Sequence, residues 1–389
     1  MKKGRLHIMF ISGEWDNYHR KGFYTSLKKR CPDDEFIIFQ YPVSVILNLI
    51  FKPSKLLRFF RAFRKINTDS AGIKTYYPWI FTHSTFWIKF LPARIVDTFI
   101  LSRQARRILK KHADGRKIVA WFYNPEYYFL LDKIKYDFFV YDFYDNYVYD
   151  MNNNADKRKE HYNGLNIRSA DMVVATAKIM YDNAVAVNTN TFYITNASNA
   201  GYMTESREGV KREREKNTIV YAGAIKNWFD ENLLLYTLKM LPQVKFVFLG
   251  YVERGSERFF KELCRFGNFR FLGMKPPEEV YQYLTGYSAG IIPFKITELT
   301  KGVMPIKFFD YVEAGLPVVC TELPELMNYR EYIYSSAGRE EFVRNCLLAL
   351  DDADRKTDRY PEILKDNDWD SRAGVFYGNF ENLFNKKFS

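Results

Sequence analysis

The chain has 389 residues, of which 47% are hydrophobic and 18% aromatic, and its formal charge is +12 at pH 7. This length exceeds what one ordinary hydrophobic core organises, so we expect two domains. The apolar content excludes a disordered chain.

The positive charge is concentrated in the first part of the sequence. Residues 1–110 contain 21 Lys and Arg against 7 Asp and Glu, which leaves the remainder nearly neutral. This asymmetry predicts an anionic partner for the first part of the chain. Because no nucleic-acid-binding module is recognisable, we do not expect that partner to be nucleic acid.

The spacing of cysteine and histidine indicates neither a metal site nor a disulfide framework. The 4 cysteines and 5 histidines are scattered along the sequence, so we predict no bound metal and a reducing compartment. No stretch approaches the roughly 20 apolar residues of a membrane span. The basic and then apolar start is interrupted at Gly13 and Glu14, and it predicts a first strand rather than a signal sequence. We therefore expect a cytoplasmic protein.

Apolar runs alternate with helical patterns through the first half of the chain. Helices are predicted at Gly22–Arg30 and from about Ala93 to Lys111. Strands are predicted at His7–Ser12, Glu35–Gln40, Ile118–Tyr123, Phe138–Asp142, Met172–Ala175 and Thr191–Ile194. This alternation predicts an α/β fold with a doubly wound parallel sheet.

A polar, charged stretch at 204–217 separates this half from a second one. We place the domain boundary there, with a first domain at 1–203 and a second at 204–366. The second half begins a new series of strands, at Thr218–Tyr221, Lys245–Leu249 and Phe269–Leu272. Helices are predicted from about Asp230, from Pro277, and at 367–389, where Asp368 or Asp370 begins the helix.

Residues 290–320 form one strand–helix–strand pattern. The apolar run 291–294 predicts a strand, Lys307–Ala314 a helix that stops at Gly315, and 317–320 the next strand. In such a unit the loop after the first strand opens onto a ligand. The helix N-terminus offers backbone N–H groups to a phosphate, and Lys307 adds a positive charge. Asp310, one turn later, is expected to accept hydrogen bonds from sugar hydroxyls.

Two further turns follow strands of the second half. Gly223 permits a tight turn and close approach to a ligand, and Asp230 is expected to cap the next helix. Met274 and Lys275 follow the strand that ends near Leu272. We expect backbone groups at this strand end to contact a nucleobase. Taken alone, each of these turns is equally compatible with an ordinary strand–helix connection that binds no ligand.

Asp142 and Asp145 stand at the end of a first-half strand, among aromatic residues. Apolar surroundings raise the pKa of a carboxyl group toward values useful for a general base. Aspartates are equally common in turns and as helix caps, so both interpretations stay open. Asp142 is the first candidate for the catalytic base and Asp145 the second.

The segment 51–66 predicts a basic amphipathic helix. Its basic face includes Lys55, Arg58, Arg61 and Arg64. Such a helix is typical of proteins that lie on anionic membrane surfaces, although a core helix with a solvated basic face has the same pattern. Together with the charge of the first part, it predicts contact with anionic lipid or with a lipid-diphosphate acceptor.

The turn at Tyr221–Ile225 and the helix before Gly315 resemble the donor-binding elements of GT-B glycosyltransferases. The likeness is to GT4/GT1-like enzymes of bacterial polysaccharide or cell-wall glycan biosynthesis. It implies two Rossmann-like domains facing a cleft, a terminal helix at 367–389 that packs back onto the first domain, and no cofactor. It implies nucleotide-sugar contacts at Gly223, Lys226, Met274, Lys275, Met304, Pro305, Ile306, Lys307 and Asp310.

The implied reaction is metal-independent transfer of a sugar, with a UDP-sugar as the expected donor. The implied acceptor is a lipid-linked glycan or a polysaccharide at the cytoplasmic face of the membrane. Many retaining members of the family have Glu eight positions before the helix carboxylate, where this chain has Gly302, and Asp310 replaces the usual Glu. The stereochemistry therefore stays open. Other hypotheses are a GT-B-related nucleotide-sugar epimerase or phosphorylase, and a non-catalytic nucleotide-sugar-binding or membrane adaptor protein.

Overall fold

The computed structural model describes residues 4–11, 13–51, 66–83, 90–199, 213–351 and 356–389. These residues form two compact units. Unit 1 comprises the described residues within 1–150, 154–194 and 373–389, and unit 2 those within 151–153 and 195–372. The boundary predicted at residue 204 lies outside the described residues.

Unit 1 is built on an eight-stranded sheet and a separate parallel pair, β3 with β6. The order in the large sheet is β10-β9-β8-β7-β1-β2-β5-β4, and every pairing is parallel except that of β4 with β5. The strands are β1 (Leu6–Phe10), β2 (Glu35–Phe39), β3 (Val43–Ser44), β4 (Ile66–Thr68), β5 (Lys74–Tyr76), β6 (Trp79–Ile80), β7 (Ile118–Phe122), β8 (Phe138–Phe143), β9 (Met172–Ala175) and β10 (Thr191–Tyr193).

The middle strands of this sheet carry the core of unit 1. Every residue of β1, β7 and β8 is buried, as expected of parallel strands that are covered on both faces. The chain runs from β1 to β2 on one side and later returns to β7 on the other side of β1. In open α/β sheets, such a reversal point is where ligands bind at the carboxyl ends of the strands.

The helices of unit 1 connect these strands. They are α1 (Lys21–Arg30), α2 (Val45–Phe51), α3 (Leu91–His112), α4 (Lys157–Ser169) and α5 (Lys178–Val185). The side chain of Asp156 caps α4 by accepting hydrogen bonds from the backbone N–H groups of Arg158 and Lys159. Among the described residues, no helix combines the length and the apolar content that crossing a membrane requires.

Unit 2 is built on a six-stranded, entirely parallel sheet with the order β13-β12-β11-β14-β15-β16. The strand predicted at 291–294 ends two residues earlier, since Pro293 has no N–H to donate and Phe294 forms an isolated antiparallel bridge with Phe229. The strands are β11 (Thr218–Ala222), β12 (Lys245–Leu249), β13 (Phe269–Phe271), β14 (Ala289–Ile292), β15 (Val318–Thr321) and β16 (Tyr334–Ser336).

One helix of unit 2 begins at a cap that the sequence indicates. Asp230 accepts a hydrogen bond from the backbone N–H of Leu233, which confirms it as the cap of α6. The helices are α6 (Glu231–Met240), α7 (Glu257–Leu263), α8 (Pro277–Leu284), α9 (Glu298–Lys301), α10 (Ile306–Glu313), α11 (Pro324–Met327), α12 (Arg339–Asp351), α13 (Tyr360–Asp366) and α14 (Trp369–Phe388).

Most of the terminal helix α14 belongs to unit 1. Asp368 accepts a hydrogen bond from the backbone N–H of Ser371, at 2.6 Å, and so begins the helix. Further along, the ring of Phe376 lies 4.9 Å from that of Trp121 on β7. The ring of Phe380 lies 5.8 Å from His7 on β1. Residues 373–389 therefore complete the core of unit 1.

Candidate functional site

The carboxyl ends of β11, β12 and β13 in unit 2 each run into a glycine. Gly223, Gly250 and Gly273 have φ values of 138°, 142° and 69°, a region that favours glycine. The N–H of Gly223 donates to the carbonyl of Leu249 (2.8 Å), and that of Gly250 donates to Gly273 (3.0 Å). A Cβ on Gly250 would lie 2.0 Å from the Gly223 carbonyl oxygen. Residue 250 must therefore be glycine, a requirement that the sequence patterns did not single out.

The ammonium group of Lys307 lies beside the Gly223 turn, among aromatic rings. Its Nζ is 4.8 Å from the ring centre of Phe294, 5.3 Å from that of Tyr221 and 5.8 Å from that of Trp228. A Cβ on Gly223 would come within 3.5 Å of Lys307 Cε. The rings attract the cation through their π faces while they displace water from it.

This environment weakens the affinity of Lys307 for its proton. Burial lowers the pKa of Lys307 to about 8, Asp310 opposes the fall, and the charge of Lys226 adds to it. Lys307 is half-buried, so at neutral pH the amine is still mostly protonated and has lost part of its hydration. Such a group favours an anionic partner in place of the lost water.

The start of α10 adds partial positive charge at the same place. Ile306 and Lys307 stand in its first turn, where backbone N–H groups have no acceptor within the helix. Pro305 precedes the helix in an extended conformation. The side-chain amide of Asn196 donates to the carbonyl of Met304 at 2.8 Å, which fixes the loop that leads into α10.

The other residues predicted to contact a donor are distributed along the same edge of the sheet. Lys226 forms an ion pair with Glu253, with a distance of 2.9 Å between Nζ and Oε1, and lies 4.7 Å from the ring centre of Trp228. Met274 is 74% exposed, and it follows the edge strand β13 together with Lys275. The structure therefore brings Gly223, Lys226 and Lys307 together and places Met274 and Lys275 two strands away from β11.

In unit 1, Asp142 is fully buried at the end of β8. Its carboxylate forms an ion pair with Arg20 (2.9 Å) and accepts a hydrogen bond from the hydroxyl of Tyr24 (2.7 Å). Burial raises the pKa of Asp142, while Arg20 and Tyr24 oppose that rise. These contacts join β8 to the residues at the start of α1.

Two other carboxyl groups follow neighbouring strands of unit 1. Asp145, two residues after β8, is half-buried. Glu126, after β7, is also half-buried, and burial raises its pKa to about 7, with Lys159 opposing and Asp156 adding to the rise. Glu126 was not among the predicted site residues. The sequence signal that could have identified Glu126 is an acidic residue soon after a buried strand.

The predicted basic face of segment 51–66 lies outside the described residues. Lys55, Arg58, Arg61 and Arg64 all fall in the range 52–65, so their contact with a membrane or an acceptor stays a prediction. Within the described ranges, no group of three or more His, Cys, Asp and Glu side chains is placed to hold a metal ion.

Comparison with known proteins gives one curated relative and many solved structures. No protein-family model matches the chain. A Bacillus subtilis protein named as a teichuronic acid biosynthesis glycosyltransferase, TuaH, is 28% identical over 164 residues. This match spans 40% of the chain and 41% of TuaH, so the chain covers about two fifths of the length of this relative.

The solved structures resemble the chain over almost its whole length. A structure of the E. coli trehalose-6-phosphate protein bound with UDP-2-fluoro glucose has a TM-score of 0.70 at 8% identity and covers 96% of this chain and 98% of its own. A mutant of S. aureus TarM in complex with UDP has a TM-score of 0.65 at 11% identity, with 98% and 100% covered.

The chain has the GT-B fold. The α/β fold class predicted from the sequence, with two Rossmann-like domains, is thereby confirmed. The glycine turns and Lys307 follow the carboxyl ends of strands in the sheet of unit 2, which is the edge where ligands of open α/β sheets bind.

Proposed function

We propose that this GT-B protein is a glycosyltransferase that takes its sugar from a UDP-sugar. The observation that carries the proposal is the position of Lys307, a half-buried cation that lies among aromatic rings, beside a glycine turn and at a helix start. A diphosphate matches this arrangement because it offers anionic oxygens to the ammonium and to the backbone N–H groups. The UDP complexes of structures with this fold support the same donor, and the name of TuaH supports a glycosyltransferase.

In this proposal the site acts mainly on the leaving group. As the bond between the anomeric carbon and the diphosphate breaks, negative charge develops on the departing oxygen. Lys307, Lys226 and the first turn of α10 stabilise that charge without a metal ion, from positions that are set before the reaction begins. Lys226 exchanges its partner Glu253 for the diphosphate, and Asp310 accepts hydrogen bonds from the sugar.

The acceptor step requires a base. An acceptor hydroxyl attacks the anomeric carbon, the new C–O bond forms, UDP leaves, and the hydroxyl proton passes to a carboxylate. Of the two predicted candidates, Asp142 is held by Arg20 and Tyr24, whereas Asp145 is half-buried. We therefore propose Asp145 as the base and Asp142 as the residue that positions the strand end before it.

We further propose that the acceptor is a polysaccharide or a lipid-diphosphate-linked glycan at the cytoplasmic face of the membrane. The positive charge of residues 1–110 supports an anionic acceptor and an anionic lipid surface. The name of TuaH supports a bacterial polysaccharide.

Binding of UDP to purified protein tests the donor site. Lys307→Ala should weaken UDP binding about tenfold to a hundredfold in calorimetry, since a hydrogen bond to a charged group contributes about 1.5–3 kcal/mol. Lys245→Ala is the matched control, because Lys245 is an exposed lysine at the opposite end of β12, paired with Glu215. Equal UDP affinity in the unchanged protein and in both variants would show that Lys307 is not part of the donor site.

Donor turnover with a lipid extract tests the reaction. Transfer of labelled sugar from a UDP-sugar into the lipid or polysaccharide fraction is the expected result. Turnover without an acceptor would indicate an epimerase, and phosphate-dependent release of sugar phosphate would indicate a phosphorylase. UDP-sugar binding without turnover in any fraction would indicate a non-catalytic binding protein.

A further inference from the structure

Helix α3 of unit 1 exposes large apolar side chains in its first half. Leu91, Ile95 and Phe99 are 53%, 60% and 58% exposed, and Val96 is 42% exposed. Phe90, which precedes the helix, is 55% exposed. Single apolar residues on a surface are ordinary, but a contiguous group of them marks an interaction site.

The second half of the same helix is basic. Its exposed side chains include Arg103, Arg106, Arg107 and Lys110. At 3.6 residues per turn, these residues and the apolar ones fall on one face that spans about 160°. Within α3, which is described throughout, the one acidic residue is Asp97, which is buried and accepts a hydrogen bond from the backbone N–H of Phe81 (2.7 Å). The exposed face is therefore apolar at one end, cationic at the other, and free of acidic residues.

An apolar groove continues this face. A cavity of about 720 Å³ lies beside α3, with Ile95 and Phe99 on one side and aromatic residues that include Phe129 and Tyr162 on the other. The guanidinium of Arg94 lies 4.4 Å from the ring centre of Phe129 and donates to the hydroxyl of Tyr162 at 3.0 Å. The charged residues around the groove are Arg94, Arg106, Lys133 and Asp132, of which the last two pair with each other at 2.6 Å.

We propose that this face of α3 docks unit 1 onto a lipid bilayer that contains anionic lipid. Leu91, Ile95 and Phe99 enter the boundary between headgroups and acyl chains, and the arginines of the second half contact lipid phosphates. An amphipathic surface binds a membrane through this combination of apolar burial and attraction to anionic headgroups.

Charge complementarity selects the bilayer over other occupants. A second copy of the chain would present the same face of α3, on which no acidic side chain is exposed to pair with the arginines. A planar anionic surface offers phosphates to the arginines and an apolar layer to the side chains before them. This inference uses described residues that differ from the predicted basic segment 51–66, and it does not rest on the proposed sugar transfer.

Flotation of the full chain with vesicles tests the proposal. Vesicles of phosphatidylcholine alone are compared with vesicles of phosphatidylcholine and phosphatidylglycerol. The protein should float with the anionic vesicles and remain behind with the neutral ones. The double variant Ile95→Asp, Phe99→Asp should bind the anionic vesicles at least about tenfold more weakly, since two apolar side chains lose their place in the membrane.

A matched variant controls for the added charge. Val187→Asp, Met240→Asp makes the same change at two other exposed apolar positions, each 49% exposed, and it should bind like the unchanged protein. Circular dichroism should show that both double variants are folded, because all four positions are exposed.

Charge reversal tests the basic half of the face separately. The triple variant Arg103→Glu, Arg106→Glu, Arg107→Glu should lose binding to anionic vesicles. The control Arg254→Glu, Arg258→Glu, Lys261→Glu reverses three exposed charges in unit 2. It should bind anionic vesicles more strongly than the triple variant of α3. Equal flotation of the two triple variants would count against the role of the arginines.

Three results would overturn the proposal. The first is full flotation of the Ile95→Asp, Phe99→Asp variant, which would place the membrane contact elsewhere. The second is an unchanged protein that binds no vesicles. The third is a dimer in analytical ultracentrifugation that this variant dissociates, which would assign the face to a second copy of the chain. UDP affinity, measured in solution, should be the same in all these variants, so failure of the docking proposal is distinct from failure of the donor site.

Discussion

Asp142 and Asp145 stand close together in the sequence but in different environments. Asp142→Asn removes the counter-charge of Arg20, whose side chain is fully buried. Breaking a buried ion pair from one side costs about 3–5 kcal/mol, so we expect a fall of that size in the free energy of unfolding, measured with urea. Asp145→Asn, which leaves this pair intact, is the control and should lose less stability than Asp142→Asn. Equal stability of the two variants would contradict the structural role of Asp142.

The same two variants separate structure from catalysis. If Asp145 is the base, Asp145→Asn should lower the rate of sugar transfer by about 10²–10⁴-fold while UDP affinity stays the same. Single-turnover transfer assays and calorimetry measure the two quantities. A variant that keeps its transfer rate would leave Asp145 without a catalytic role and would direct attention to Glu126, whose pKa of about 7 suits a base.

The pKa of Lys307 predicts how UDP binding depends on pH. This pKa is lowered from 10.5 to about 8. In the free protein Lys307 therefore loses its charge as the pH rises through 8, whereas bound diphosphate keeps Lys307 protonated. UDP affinity should therefore be nearly constant from pH 7 to 8 and should fall by up to about tenfold per pH unit above that. In the Lys307→Ala variant the affinity should be weaker and flat over this range. A flat profile in the unchanged protein would show that the lysine is not coupled to the ligand.

Residue types and their order were sufficient to predict part of this site. Gly223 was predicted because it directly follows a strand, and Lys307 was predicted because it is a cation at the start of a helix. The rings of Tyr221, Trp228 and Phe294 around the ammonium come from separate segments, and their convergence depends on the sheet order, which the sequence does not state. The burial of Asp142 depends in the same way on its contact with Arg20, far away in the chain.

The glycine turns at the ends of β11 and β12 act as one element. In Gly250→Ala the new Cβ would meet the Gly223 carbonyl oxygen at 2.0 Å, at a φ of 142° that L-residues rarely adopt. We expect a loss of at least about 3 kcal/mol in the free energy of unfolding, together with weaker UDP binding, because Gly223 is displaced. Chemical unfolding and calorimetry measure these effects.

Gly267→Ala provides the comparison for that substitution. A Cβ at residue 267 meets nothing within 4 Å, and the residue is exposed, so its stability and UDP affinity should match those of the unchanged protein. If Gly250→Ala behaves in the same way, the close contact between the two turns is not required.

Six strands of unit 1 were predictable from the sequence, and the short strands β3 to β6 were not. The six strands expected in unit 1 all occur, with ends within two residues of the prediction, because runs of buried apolar residues mark strands of a parallel sheet. The strands from β3 to β6 have two or three residues each, and β3, β4 and β5 include polar ones. They owe their conformation to pairing with a neighbour, which no local pattern records.

Each unit has a buried core of its own, and this bears on how the whole protein responds to a ligand. One core cluster runs from Leu6 to Ala184 in unit 1, and the other from Ile219 to Ile363 in unit 2. Units with separate cores unfold as separate cooperative transitions when the coupling between them is weak. All the donor contacts proposed here lie in unit 2.

Differential scanning calorimetry with UDP should therefore move one of two transitions. A ligand that binds only the folded form stabilises it by about 2.7 kcal/mol at a concentration of 100 times its Kd, so the transition of unit 2 should shift to higher temperature while that of unit 1 stays in place. Phe376→Ala removes a buried ring from the core of unit 1. This variant should lower the temperature of the unit 1 transition and leave that of unit 2 unchanged, because deletion of a buried Phe costs about 3–5 kcal/mol. A single transition that UDP shifts as a whole would mean that donor binding stabilises both units together, and the donor would then have to be treated as a ligand of the entire chain.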